Sequence, residues 1–371
     1  MTEAVKPTIA LLQTQAEAGG AQEIARILGN AWSAKGIHVH HCFFFRRTGS
    51  YDDMPNVYFA YPERPLGVAQ IAKMAAALLR HLRIMKPDAV LTFQHYGNII
   101  GAPIARAAGV KNIIANLNSP WTMLPAWVLA IDWVLAASGI YSRVIANSAN
   151  TAADFGRLPP PFARRLCHID HGFEPKISDK SKPDARHALG LPNDTVLLGT
   201  VGRLHAQKNQ AAVIALLPKN PCWHFAIAGQ GELLAELRSL SLGLGCQDRM
   251  HLVGELAPEM ISVFLNALDV FVFPSRVETF GLAVVEAAQS GVPVVCNDIE
   301  VLREVLQIDG EPCVRFVNVD DPSAFESAIR EALDDNTSLS SSAARLLDKY
   351  SLRRMVDGYS QALRGAGVNL P

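Results

Sequence analysis

PSRVETFGLAVVEA, residues 274–287, is the most informative stretch of this 371-residue chain. It lies between a short apolar run and the segment GVPVV at 291–295, which predicts a loop and a helix between two strands. Gly281 is the expected helix start, where unpaired backbone N–H groups favour an anion. Glu278 falls in the loop and Glu286 about one turn inside the helix. Carboxylates beside an anion-binding helix end predict a ligand that is part sugar and part phosphate.

The same stretch closely resembles the signature of the retaining glycosyltransferases of family 4, which have the GT-B fold. That signature has Pro-Ser before a first Glu, Phe-Gly after it, a second Glu eight positions on and Gly-x-Pro-Val beyond, and this chain matches every element. The resemblance implies an α/β protein with two doubly wound, Rossmann-like domains that face a central cleft. The alternative is a plain amphipathic helix in an α/β domain, which an isolated pair of glutamates would favour.

Length and composition exclude several other classes. A chain of 371 residues is long enough for two domains with separate cores. The formal net charge is −1 and no long basic run occurs, so we expect no nucleic-acid partner. The six cysteines are scattered without a Cys-x-x-Cys pair, as in a cytosolic protein with reduced thiols. We see no signal peptide before the first predicted strand, and we expect a cytoplasmic location.

One apolar segment complicates this interpretation. Residues 121–140, WTMLPAWVLAIDWVLAASGI, are about as long as a membrane span. Asp132 lies at the centre, however, and a central charge costs about 2.5–3.5 kcal/mol on insertion scales. We therefore expect a buried or partly exposed helix of the first domain. The alternative is that its aromatic face meets a lipid surface or a lipid-linked acceptor, as a peripheral contact at the inner face of the membrane.

Strand and helix patterns alternate along the chain, as a parallel α/β architecture requires. Strands are predicted near Thr8–Gln13, His38–Phe44, Ala89–Phe93, Asn112–Asn116, Arg143–Ala146, Leu166–Ile169, Val196–Val201, Trp223–Ala228, Met250–Val253, Val270–Phe273, Pro293–Cys296 and Val314–Val317. Helices of the first half are predicted at Gly20–Lys35, Gly67–Met85 and Ile99–Ala108. The polar stretch EPKISDKSK, residues 174–182, is the best linker. It gives an N-terminal acceptor-side domain, 1–174, and a C-terminal donor domain, 175–351, and the resemblance implies that 352–371 crosses back onto the first domain.

The second domain opens with GTVGRLHAQKN, residues 199–209. Arg203 follows a predicted strand, and Lys208 comes five positions later, just before a helix. Arginine offers a planar fork to phosphate oxygens and lysine a compact charge, so the pair suits a diphosphate. Two solvated surface cations are the alternative. In the resembled family a Gly-Arg-Leu-x-x-x-Lys segment grips the donor diphosphate, which implies that role for Arg203 and Lys208.

The resemblance also implies a set of donor-binding residues. Glu278 is expected beside the sugar hydroxyls and Glu286 on the ribose, while the turn GQGE at 229–232 lies beside the donor and is no Walker loop. The donor-binding residues that we expect are Gly19, Gly20, Gly202, Gly229, Gly231, Val253, Gly254, Thr279, Phe280, Gly281, Leu282 and Glu286.

Two segments of the first domain carry weaker signals. The glycines of EAGGAQE, residues 17–23, permit close backbone approach before a helix but do not form a dinucleotide fingerprint. The family often has Gly-Gly-Ala-Glu here, and Gln22 departs from that Glu. His95 follows a predicted strand, where family members frequently carry a His close to the sugar and acceptor; a loop His with no catalytic part is the alternative. Side chains that are candidates for acceptor hydroxyls are Asn116, Asn118 and Ser119.

The function that these expectations define is a hexosyltransferase acting with retention on a nucleoside diphosphate sugar. The catalytic residues that we expect are Arg203, Lys208, Glu278 and His95. A UDP-sugar is the favoured donor and GDP-mannose an alternative, and the acceptor is a glycan, a lipid-linked or a small molecule. We expect no cofactor and no metal, because in the resembled class Arg and Lys replace a metal at the leaving diphosphate.

Three other functions remain open. A glycoside hydrolase also uses two carboxylates, about 5–9.5 Å apart, but it needs no cations beside them. A non-catalytic nucleotide-sugar-binding sensor would bind the donor without turnover. A nucleotide-sugar epimerase of the same fold would isomerise the donor without an acceptor.

Overall fold

The structure is a computed structural model that describes residues 6–17, 19–119, 121–174, 177–334 and 339–370, with the side chains of 339–342 outside the description. The chain forms two compact units. One comprises Met1–Phe173 and Leu352–Pro371, and the other comprises Glu174–Ser351. The described residues of each unit form a doubly wound α/β structure, so the expected architecture is confirmed.

The first unit is built on a seven-stranded parallel sheet. Its strands are β1 Thr8–Ala16, β2 His38–Arg46, β3 Val57–Tyr61, β4 Ala89–Phe93, β5 Asn112–Leu117, β6 Arg143–Ala146 and β7 Leu166–His168. The spatial order is β3-β2-β1-β4-β5-β6-β7. The winding reverses between β1 and β4, and doubly wound sheets bind ligands in the crevice outside the carboxyl ends at such a point.

Helices cover both faces of this sheet. They are α1 Gly20–Ala34, α2 Val68–Met85, α3 Gln94–Tyr96, α4 Ala102–Ala107, α5 Ala126–Ala137, α6 Ala149–Gly156 and α7 Pro160–Ala163. One π-helical turn, Gly97–Gly101, joins α3 to α4, so the helix predicted at Ile99–Ala108 starts in irregular geometry. The edge strand β3 was not predicted from the sequence. Its residues are mostly half-buried and aromatic, which leaves a weak alternation pattern.

The apolar segment 121–140 forms a 3₁₀ turn, Trp121–Met123, followed by α5. The helix is partly exposed, as expected. Its inner face includes Val128 and Asp132, whereas Trp127 and Val134 are 55% and 52% exposed. Among the described residues, no helix has both the length and the apolar character needed to cross a membrane.

The second unit repeats the same winding on a six-stranded parallel sheet. The strands of this unit are β8 Val196–Val201, β9 Trp223–Ala228, β10 Met250–Gly254, β11 Val270–Phe273, β12 Val294–Asn297, the hairpin strands β13 Gln307–Ile308 and β14 Glu311–Pro312, and β15 Arg315–Val317. The order β10-β9-β8-β11-β12-β15 places its reversal between β8 and β11. The helices are α8 Lys182–Ala188, α9 Gln210–Ile214, α10 Leu234–Gly243, α11 Pro258–Ala267, α12 Leu282–Ser290, α13 Glu300–Leu306, α14 Pro322–Asp334 and α15 Leu339–Lys349.

The last helix, α16 Leu352–Gly365, packs on the first unit. Its inner face carries two buried polar anchors. The hydroxyl of Tyr359 donates to Asn116 Oδ1 at 2.7 Å, and the indole Nε1 of Trp32 donates to Ser360 Oγ at 3.2 Å. The rings of Trp32 and Tyr359 also meet edge to face. These directional contacts fix the helix more specifically than apolar burial alone, because each buried polar group needs its partner.

Candidate active site

The reversal point of the second unit brings a lysine and a glutamate together. Lys208 ends a 3₁₀ turn after β8, and Glu278 lies in the loop after β11. Lys208 Nζ donates to Glu278 Oε1 at 2.5 Å, and the two side chains are only 22% and 11% exposed. The ammonium also lies 5.1 Å from the centre of the Phe273 ring. A largely desolvated ion pair of this kind holds both charged groups in a defined place.

Backbone contacts fix the loop that carries Glu278. The amide of Arg276 donates to the carbonyl of Gln207 at 2.8 Å, which ties this loop to the Lys208 turn. Asn297 Nδ2 donates to the carbonyl of Ser275 at 3.0 Å and anchors the loop on the next strand. The pair is therefore held by its own frame, as preorganised electrostatic stabilisation requires.

Arg203 also lies at the carboxyl ends of the strands, just after β8, but its side chain is not part of this ion pair. Its side chain is exposed, and it forms no ion pair with a carboxylate in the parts of the chain that the structure describes. Its carbonyl accepts a 2.9 Å hydrogen bond from Gln210 Nε2, which fixes the backbone while the guanidinium stays in solvent. The crevice thus offers one cation held in an ion pair and one exposed cation.

The glycines at these strand ends allow neighbouring loops to pack closely. A Cβ on Gly229 would lie 2.0 Å from the carbonyl oxygen of Gly202, and a Cβ on Gly231 would lie 2.3 Å from that of Leu204. The loops after β8 and β9 also share backbone bonds, including one from the amide of Leu204 to the carbonyl of Gln230 at 2.9 Å. Close approach of these loops accounts for the glycines without any ligand, and their expected contact with a donor stays a prediction. Val253 is half-buried at the end of β10.

Helix α12 starts where the sequence predicted. Gly281 is its N-cap with a left-handed φ of +87°, and a Cβ there would lie 2.9 Å from Leu302 Cδ2, so a larger residue does not fit. No side chain of the described residues caps this end. Phe280 is buried and Thr279 half-buried beside the cap. The first backbone bonds at this end run from the amides of Val284 and Val285 to the Gly281 carbonyl, so the amides of Leu282 and Ala283 precede them at an end that suits an anion. Glu286 is 7% exposed on the same helix.

The glycine loop of the first unit is fixed by an amide. Gly19 is the extended N-cap of α1, which begins at Gly20, and a Cβ on Gly19 would lie 2.7 Å from Gln22 Oε1. Gln22 is buried, and its Nε2 donates to the carbonyl of Gln15 at 3.0 Å. A glutamate carboxylate cannot donate that bond, which gives the departure from the family pattern a structural reason. Ala18 lies outside the described residues.

His95 lies at the carboxyl end of β4. In the first unit the winding reverses between β1, which precedes the glycine loop, and β4. Gln94, just before His95, has a left-handed φ of +66°, and its amide donates to Asn118 Oδ1 at 3.2 Å. His95 Nδ1 lies 3.4 Å from Ser119 Oγ. Burial lowers the pKa of His95, so the neutral imidazole is favoured at neutral pH. The structure thus brings His95, Asn118 and Ser119 together.

One predicted site residue is wrong. Asn116, a candidate for acceptor hydroxyls, is 1% exposed, and both ends of its amide are occupied. Its Nδ2 donates to the carbonyl of Thr92 at 3.0 Å, and its Oδ1 accepts from Tyr359. Asn116 therefore joins α16 to the sheet, and its burial keeps it from contact with a ligand. No role was predicted for Gln94, whose only signal in the sequence is its place directly after a buried strand.

Two doubly wound parallel units, with the last helix returned to the first, define the GT-B class. Two family models match this chain. The model described as Glycosyltransferase Family 4 matches residues 18–175, and the model described as Glycosyl transferases group 1 matches residues 181–349. The chain belongs to this family of glycosyltransferases, so the family that the signature predicted is confirmed.

Curated relatives match parts of the chain. The lipopolysaccharide core biosynthesis mannosyltransferase LpsB of Rhizobium meliloti (strain 1021) is 34% identical over 230 residues, which cover 59% of this chain and 63% of LpsB. A D-inositol 3-phosphate glycosyltransferase of Geodermatophilus obscurus is 30% identical over 242 residues, which cover 62% of this chain and 53% of that protein. The chain thus spans between about half and 63% of the length of these relatives.

Solved structures share the fold over nearly the whole length. Anabaena HepE in complex with UDP and glucose has a TM-score of 0.82 at 19% identity, with 96% of this chain and 99% of that chain covered. The sucrose-phosphate synthase of Thermosynechococcus elongatus has a TM-score of 0.78 at 20% identity, with 97% and 98% covered. At these identities the similarity is one of fold.

Proposed function

We propose that this protein is a retaining glycosyltransferase that moves a hexosyl group from a nucleoside diphosphate sugar to an acceptor hydroxyl. The observation that carries the proposal is the Lys208–Glu278 pair at the same sheet edge as the exposed Arg203. Together with the start of α12, these strand ends combine cations and amides that can bind a diphosphate with a carboxylate that can accept hydrogen bonds from sugar hydroxyls.

The cations stabilise the leaving group. When the sugar–phosphate bond breaks, negative charge grows on the diphosphate. Lys208, Arg203 and the first amides of α12 are the groups that meet this charge, and removal of one preorganised donor typically costs about 10²–10³ in rate. They supply the charge that a divalent metal supplies elsewhere, so we propose that transfer is metal-independent.

Glu278 serves the sugar. Its Oε1 accepts from Lys208, which leaves Oε2 as the oxygen that we assign to a donor hydroxyl. A carboxylate neutralised by an ammonium at 2.5 Å is a weak nucleophile, which favours front-face attack guided by the leaving diphosphate over a covalent glycosyl intermediate. Glu286, on the inner side of α12, is assigned to the ribose. His95, with Asn118 and Ser119, is assigned to the sugar and acceptor side.

The donor and acceptor are inferred from relatives. HepE was solved with UDP-glucose, which supports a UDP-sugar donor. Because LpsB is named a mannosyltransferase, we keep GDP-mannose as the alternative donor. LpsB is named for lipopolysaccharide core biosynthesis, and the glycosyltransferase WclY of Escherichia coli is named for O-antigen biosynthesis. We infer an acceptor that is a glycan or a lipid-linked precursor of such a polymer.

If the acceptor is lipid-linked, the exposed apolar side of α5 can contact the membrane that holds it. Trp127, Ile131 and Val134 lie on one stripe and are 55%, 37% and 52% exposed. We propose that this stripe makes a peripheral contact with a membrane surface at the cytoplasmic side. Sedimentation with anionic phospholipid vesicles tests it. Trp127→Ser with Val134→Ser should reduce the bound fraction, and equal binding of the variant would contradict the contact.

Titration calorimetry with UDP-glucose and GDP-mannose tests the donor site. Lys208→Ala and Glu286→Ala should each weaken binding of the preferred donor about tenfold or more, because a charge-assisted hydrogen bond is worth about 1.5–3 kcal/mol. Lys219→Ala, an exposed lysine of the same unit, is the control and should leave affinity unchanged. Unchanged affinity in both site variants would contradict the assignment.

Turnover separates the remaining alternatives. With the preferred donor and a panel of glycan acceptors, the proposed enzyme releases free nucleotide only as glycosylated product forms. Donor binding with no product for any acceptor would favour the sensor. Isomerised donor sugar without an acceptor would favour the epimerase.

A further inference from the structure

A small cavity opens at the carboxyl ends of β4 and β5 in the first unit. Its volume is about 10 Å³, which is room for one oxygen-sized group. The half-buried side chains of His95, Asn118 and Ser119 line one part of the cavity, and the buried side chains of Phe155 and Asp132 line another. The lining therefore combines half-buried polar side chains with the buried acidic residue Asp132.

Asp132 is the unusual group in this lining. Its side chain is 1% exposed on the inner face of α5. Oδ1 accepts a 2.6 Å hydrogen bond from the hydroxyl of Tyr141, which is itself buried. Oδ2 is buried and has no hydrogen-bond partner among the residues that the structure describes. Buried carboxylate oxygens are rarely left without a donor, because the lost hydration is not replaced.

The neighbouring amide does not supply that donor. Asn98, which also lines the cavity, donates through Nδ2 to the carbonyl of Asn116 at 3.0 Å and accepts from Thr92 Oγ1 at 2.6 Å. Burial raises the pKa of Asp132 to about 6, so the group is mostly ionised at neutral pH and acts as an acceptor. The missing partner is accordingly a hydrogen-bond donor that enters the cavity.

The backbone beside the cavity is irregular in a way that often marks functional sites. Gln94 has a left-handed φ of +66°, and the π-helical turn Gly97–Gly101 follows His95. Such strain persists where the surrounding structure fixes a side chain for use, and π turns recur at functional positions. The position also agrees with the rule that doubly wound sheets bind ligands at carboxyl strand ends.

We propose that this cavity is a hydroxyl-binding subsite, in which Asp132 Oδ2 accepts a hydrogen bond from one neutral hydroxyl of a sugar or polyol, or from a water molecule in its absence. A carboxylate at the end of the cavity repels phosphates and carboxylates, so the subsite selects uncharged hydroxyl groups. The assignment of that hydroxyl to the acceptor of glycosyl transfer rests on the proposed function; the subsite itself does not.

Crystals of the whole chain test the subsite with two probes. One set is soaked in glycerol and the other in inorganic phosphate, both at a pH of about 7.5, where the carboxylate is ionised. We expect an oxygen of glycerol or of water about 2.5–3.0 Å from Asp132 Oδ2 in the first set. In the second set we expect water there and no tetrahedral anion. A cavity without an oxygen at Oδ2, or one that contains phosphate, would overturn the proposal.

Variants show whether Asp132 holds the occupant. Asp132→Leu has a similar volume and should lose the oxygen from the cavity, whereas the control Asp154→Asn, a residue paired with Arg157, should retain it. An equally ordered oxygen in Asp132→Leu would overturn the proposal. If this variant does not fold, the wild-type crystals still decide. Calorimetry with UDP-glucose is run in parallel, so a failure of the proposed donor site is recognised separately from an empty cavity.

Discussion

Replacement of Asp132 by Asn should stabilise the protein at neutral pH and leave its stability unchanged in acid. The substitution keeps the shape of the side chain and an oxygen that accepts from Tyr141, but it removes the charge. Burial is the main cause of the raised pKa of Asp132, and the Tyr141 hydrogen bond opposes it only in part. The variant thus isolates the cost of a buried carboxylate.

The magnitude follows from the pKa. A shift from 3.8 in the unfolded chain to about 6 in the folded protein corresponds to about 3 kcal/mol, at about 1.4 kcal/mol for each pKa unit. The folded state binds the proton more tightly, so the wild type loses stability as pH rises from about 4 to about 6. Below that window the two proteins should be equal. Above it the variant should be more stable by up to about 3 kcal/mol.

Two other titratable groups lie near this carboxyl group. Burial holds the pKa of Tyr141 well above its usual value, so it stays protonated throughout. Burial lowers the pKa of His95 below its ordinary value, so this imidazole also takes up its proton on the acid side of neutrality. Measurement of Asp132→Asn in both the wild-type and the His95→Gln background separates the two titrations, because a double-mutant cycle isolates the term that belongs to Asp132.

Urea unfolding at four pH values between about 4 and about 7.5, followed by tryptophan fluorescence, spans the window and is a suitable assay. Four of the five tryptophans, at positions 32, 121, 127 and 133, lie in the first unit, so the signal reports mainly the unit that carries Asp132. Asp154→Asn is the control and should show no such pH dependence. A gain of equal size at both ends of the pH range, or a loss at the upper end, would refute the reasoning.

Three further predictions concern the frame and the chemistry. Gly229→Ala should lower the free energy of unfolding, measured by urea titration, by at least about 2 kcal/mol, because its Cβ would lie 2.0 Å from the Gly202 carbonyl oxygen. The control Gly243→Ala, whose Cβ would have nothing within 4 Å, should be neutral or stabilising. Tyr359→Phe should cost about 1–3 kcal/mol, since it leaves the buried Asn116 Oδ1 without its donor, and an unchanged fluorescence transition would contradict that anchor. EDTA should leave glycosyl transfer unchanged; a loss that Mg²⁺ or Mn²⁺ restores would disprove metal independence.

The framework of strands could be predicted from sequence because buried parallel strands are short apolar runs between turn residues. Most of the predicted strands lie within a residue or a few of their observed bounds. The failures have physical causes. β3 is an edge strand with half-buried aromatic residues, so its pattern is weak. The π-helical turn at Gly97–Gly101 depends on packing against neighbouring strands, which no local pattern encodes.

The sequence names candidate site residues one by one, but it does not show which of them are in contact. Lys208 and Glu278 are seventy positions apart, and only the fold shows that they form an ion pair. Asn116 carries the right chemistry for a ligand, yet its amide is used by a helix almost at the other end of the chain. Asp132 had a visible signal, a single charge in an apolar segment, but sequence alone gave it meaning only as an obstacle to membrane insertion.

The two crevices, each taken by itself, differ in charge in a way that assigns parts of a substrate to them. In the second unit, Arg203, Lys208 and the start of α12 favour an anion, which is the chemistry of a diphosphate. In the first unit, the other side chains that line the cavity beside Asp132 carry no charge when His95 is neutral, and the buried carboxyl group of Asp132 disfavours anions. The two sheets therefore differ in the charged groups at the carboxyl ends of their strands. That asymmetry is what a transferase needs to hold a charged donor and a neutral acceptor hydroxyl, and a hydrolase or a binding protein specific for the nucleotide alone has no use for it.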